Sequence, residues 1–63
     1  MIKELLKRGF EEQYGSSQIT FLVCKQYAAF LFEELWFLTD LEGQLIPGLP
    51  EEDAIEALKN LTL

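Results

Sequence analysis

The apolar positions of the chain fall into three runs separated by short polar breaks. In the first, Ile2, Leu5, Leu6, Phe10 and Tyr14 recur at i, i+3, i+4, i+8 and i+12, one face of an amphipathic helix. The opposite face offers Glu4 to Arg8, Lys7 to Glu11 and Arg8 to Glu12, i,i+4 opposite-charge pairs that contribute about 0.2–0.5 kcal/mol each. Gly9 interrupts the apolar side, where a close helix neighbour would fit it. Gly15 can end the helix in a left-handed cap, and the hydroxyl of Ser16 or Ser17 can cap the next one. A helix is therefore expected from Ile2 to Tyr14.

The second run, QITFLVCKQYAAFLFEELWFLT over Gln18 to Thr39, has no Gly or Pro. At about 100° per residue, Gln18, Lys25, Gln26, Glu33 and Asp40 share one side of a helical wheel. A hairpin would need a residue tolerant of positive φ near the middle, and Cys24-Lys25-Gln26-Tyr27 contains no Gly, Asn or Asp. These features predict one central helix from Ser17 to Asp40. The β-branched and aromatic residues Ile19, Thr20, Phe21 and Val23 favour strand instead, so an α+β arrangement with a short strand at 19–24 is the alternative.

The apolar arc of that helix is too wide for an ordinary surface helix. Ile19, Val23, Phe30 and Phe37 lie on one flank, Tyr27, Leu31 and Leu38 in the middle, and Phe21, Cys24, Ala28, Phe32 and Leu35 on the other. An arc wider than the usual stripe of about 100° needs neighbours on several sides. Trp36 falls by itself on the polar side, suited either to cover by a loop or to anchoring a partner.

The third run begins as an apolar loop, DLEGQLIPGLP from Asp40 to Pro50, through which no helix continues. Pro50 then occupies a first-turn position, followed by Glu51, Glu52 and Asp53 where a helix dipole favours negative charge. Ala54, Ile55, Leu58 and Leu61 form the apolar side of a helix expected from Pro50 to Asn60. The expected architecture is a single all-α domain over residues 1–63. Three helices, the long central one in a helical hairpin, complete their core as a homodimer.

Composition bears on the dimer. A chain of 63 residues buries only about 60% of its unfolded surface and needs reinforcement. One cysteine and no histidine exclude an intrachain disulfide and a standard structural zinc site, leaving oligomerisation. The net charge of −6 argues against direct nucleic-acid binding and against an anionic membrane surface. Lys25, Glu33 and Glu34 oppose stable membrane insertion of the central run. The N-terminal MIKELLKRGFEEQ lacks the apolar segment of a secretory signal, so a cytoplasmic protein is expected.

No chemistry-bearing constellation emerges, and no catalytic, cofactor-binding or metal-ligating residue is assigned. Glu33 and Glu34 are adjacent on the expected helix and do not face each other. Cys24 has no base beside it. The acidic residues around Asp40 and Glu42 lack the ligand order of a calcium loop, and Asn60-Leu61-Thr62 is a chance glycosylation sequon. The expected function is a non-catalytic interaction or assembly module, whose partner is itself or another protein. Its expected interface is Tyr27, Phe30, Leu31, Glu34, Trp36, Phe37 and Leu38. The alternative is an acidic inhibitor or antitoxin-like protein that blocks a basic site through Glu33, Asp40, Glu42, Glu51, Glu52 and Asp53.

Overall fold

In a computed structural model, which describes residues 1–15 and 19–61, the chain is an antiparallel sheet covered on one side by two helices. The order is α1 (Ile2–Lys7), β1 (Glu11–Gly15), β2 (Ile19–Cys24), β3 (Tyr27–Phe32), β4 (Leu35–Thr39), β5 (Gln44–Leu49) and α2 (Glu51–Asn60). Neighbours in sequence are neighbours in the sheet, β1-β2-β3-β4-β5, so β3 is its central strand. No helix among the described residues is long and apolar enough to cross a membrane. The Ser16 and Ser17 caps, Gln18 of the polar stripe and Thr62 of the sequon lie outside the described residues.

The all-α expectation and its helical hairpin are overturned: the segment from 19 to 39 is three strands. The strand weighed at 19–24 is β2, but the remainder of the expected central helix is strand as well. Lys25 and Gln26 separate Cys24 from its partner Tyr27, and Glu33 and Glu34 separate Phe32 from Leu35. Lys25 has φ 53°, and Glu33 and Glu34 have φ 52° and 66°, the latter pair as a type I′ hairpin turn requires. L residues adopt this region at a cost of roughly 1–2 kcal/mol each. Burial of the strands' inner side chains offsets it, which is why the absence of turn-forming residues does not prevent the hairpins.

The first helix is also shorter than expected. Gly9, at φ 92°, is its stop rather than part of its apolar face. The Phe10 N–H donates to the Leu5 carbonyl and the Gly9 N–H to the Leu6 carbonyl, both at 3.1 Å, the two bonds of a Schellman cap. Its hydrophobic contact is present too, since Leu5 and Phe10 both enter the core. Gly15, expected to cap this helix, ends β1 instead. With Glu11 and Glu12 on a strand, only Glu4 to Arg8 forms of the three expected i,i+4 pairs, at 3.1 Å, with Lys7 also 3.7 Å from Glu4.

The core lies between the sheet and the helices. Leu22, Ala29, Trp36, Leu38 and Ile46 from the strands meet Met1, Leu5 and Phe10 from the N-terminal segment and Ala54 and Leu58 from α2. α2 lies over β4 and β5. Its span agrees with the helix read from Pro50 to Asn60, and Pro50 stands at its N-cap.

Two predictions follow from the backbone and from Glu4. Replacing Glu33-Glu34 by Asn-Gly relieves two left-handed L residues and raises the unfolding free energy by about 1–2 kcal/mol in urea denaturation. A loss of stability, as Asn-Gly inside a helix would give, contradicts the hairpin. The hydrogen bond from Arg8 and the nearby Lys7 charge hold the Glu4 carboxyl below its usual range. Because the folded value is lowered, the pair's contribution is present above the unfolded value and is lost as pH falls through the folded one. In a carboxylate NMR titration, Arg8→Gln moves the Glu4 midpoint upward; an unmoved midpoint contradicts the pairing.

Candidate functional site

Strand register assigns each residue to one side of the sheet. Thr20, Leu22, Cys24, Tyr27, Ala29, Leu31, Trp36, Leu38, Ile46 and Leu49 face the helices, because partners across a ladder share a face and alternate along each strand. Phe21, Val23, Ala28, Phe30, Phe32, Leu35, Phe37 and Pro47 occupy the other side. None of these eight belongs to the core or to the side chains packed against it. The ladders also put Thr39, Gln44 and Glu11 there; the outer face is otherwise apolar, with no element of the described chain over it.

A row of rings crosses this face. Phe21 pairs with Phe30 across β2 and β3, and Phe30 with Phe37 across β3 and β4. The Phe30 and Phe37 rings stack with centroids 4.9 Å apart and planes 8° from parallel. Phe37 continues over β5, where Gly48 (φ 104°) forms a bulge; a Cβ built there would stand 2.9 Å from the Phe37 ring. The glycine thus supplies both the backbone conformation and the space for the ring. At one end of the face Phe32 and Leu35 remain 48% and 36% exposed, a large exposure for side chains of their size.

The edges of the sheet differ from its face. β1 is interrupted between Glu12 and Tyr14, and β5 is interrupted twice and carries Pro47, which has no N–H to offer. Bulges and proline are features that discourage edge-to-edge strand pairing. Glu11, across from Val23 at the β1 edge, is the only charged position among the described residues that the register places on the outer face.

The expected interface residues divide between the two sides. Phe30 and Phe37 are on the open face, whereas Tyr27, Leu31, Trp36 and Leu38 face the helices. Trp36 is only 2% exposed and is the largest fully buried side chain, so its candidacy as an exposed anchor does not survive. Glu34 sits in the β3–β4 turn. Phe21, Val23, Phe32 and Leu35 complete the face but were absent from the expected interface. Their signal was the recurrence of polar pairs Lys25-Gln26 and Glu33-Glu34 eight residues apart, the spacing of turns in a meander.

The acidic set divides as well. β5 runs back toward the β3–β4 end, where Leu49 pairs with Trp36. Glu33 and Glu34 therefore share that end with Glu51, Glu52 and Asp53 of the first turn of α2. Asp40 and Glu42 lie at the opposite end, in the β4–β5 loop. There the Asp40 carboxylate accepts from the N–H groups of Glu42 and Gly43 at 2.7 and 3.0 Å, which makes Asp40 part of the turn.

Two clefts open at that same end. One of about 550 Å³ is bounded by Arg8, Phe10, Cys24, Lys25 and Tyr27 among others. Its Arg8 guanidinium is engaged by Glu4, and the Cys24 thiol donates to the Arg8 carbonyl at 3.8 Å, so the thiol ties the end of α1 to the sheet. The other, about 380 Å³, is bounded by Gln26, Asp40, Leu41 and Glu42. The described residues contain no group of three carboxylate, thiol or imidazole side chains arranged to hold a metal ion. Comparison with family models, with curated proteins and with solved structures found no match.

Gly48→Ala forces the Phe37 ring off its seat and places a Cβ at positive φ, lowering stability by about 2 kcal/mol in thermal or urea unfolding. Unchanged stability contradicts the seating of Phe37 on the β5 bulge.

Proposed function

We propose that this chain is a small, non-catalytic protein-interaction module whose contact surface is the open aromatic face of its sheet. One observation carries the reading: the strands are apolar on both sides, and the described chain covers one. Antiparallel sheets with one solvated face ordinarily alternate apolar and polar residues. Here Phe21, Phe30, Phe32, Leu35 and Phe37 stand where polar residues would be expected. Five strands about 4.8 Å apart and about 17 Å long give a face of roughly 400 Å², the size of the largest apolar patch on an ordinary monomer, which is often functional. The single thiol, Cys24, is compatible with a reducing, cytoplasmic setting.

The alternative is an acidic inhibitor of a basic partner site. It draws support from the gathering of Glu33, Glu34, Glu51, Glu52 and Asp53 at one end. Against it, Asp40 and Glu42 lie elsewhere, and Asp40 is already engaged in its own turn.

One experiment separates the readings. A photo-crosslinking phenylalanine is placed at Phe32, on the open face, or at Glu52, on the acidic end, in cells producing the protein. Polypeptide adducts from position 32 and few from 52 are expected. Adducts mainly from 52 transfer support to the acidic reading, and none from either position overturns the module.

A further inference from the structure

We draw no further inference here: the strongest candidate, the apolar outer face of the sheet around Phe30 and Phe37, belongs to the site already described, and nothing in the structure shows what covers it.

Discussion

The structure depends on one layer of side chains, the seam where the inner face of the sheet meets the two helices. Trp36, Leu22, Leu38 and Ile46 from the strands close against Leu5 and Leu58 from the helices, and these six are its largest fully buried side chains. α1 has six residues and α2 ten, both too short to hold helical form in water without packing. The sheet is equally dependent, because an antiparallel meander with no apolar cover has little to hold its strands together. Each layer exists because the other buries it, and with so small a core the cooperativity must be tight.

That seam explains how the backbone accepts its strained turns. Lys25, Glu33 and Glu34 hold left-handed conformations that Gly or Asn would adopt at lower cost. The inner residues Cys24 and Tyr27 on one hairpin, and Leu31 and Trp36 on the other, fix the register and leave two residues for each reversal. Residues in sparsely populated conformations persist where the surrounding structure determines them. The charged turns also frame the open face with polar groups, so the apolar surface is bounded at its strand ends.

The outer face is a consequence of the same register. Once Ala29 and Leu38 are committed to the core, Phe30 and Phe37 are committed to the other side, where they stack on each other and where Phe37 settles over Gly48. The described helices cover only the inner of the two apolar faces. The Cys24 thiol and the Glu4–Arg8 pair belong to the opposite layer and secure α1.

Much of the chain could be read directly from residue order. Pro50 followed by three acidic residues and the spacing of Ala54, Leu58 and Leu61 specified the last helix locally, through dipole and periodicity. The excess of apolar side chains over a single narrow stripe was equally visible. The central segment was not legible, for a physical reason. Strands apolar on both faces erase the period of two, and six-residue strands joined by two-residue turns repeat their polar pairs every eight residues. Steps of seven and eight stay within about 100° on a helical wheel, so turns imitated a polar stripe. Composition and local residue order therefore determined a small, apolar-rich domain with a helix at its end; only the pairing of distant strands decided which aromatic residues became core and which became surface.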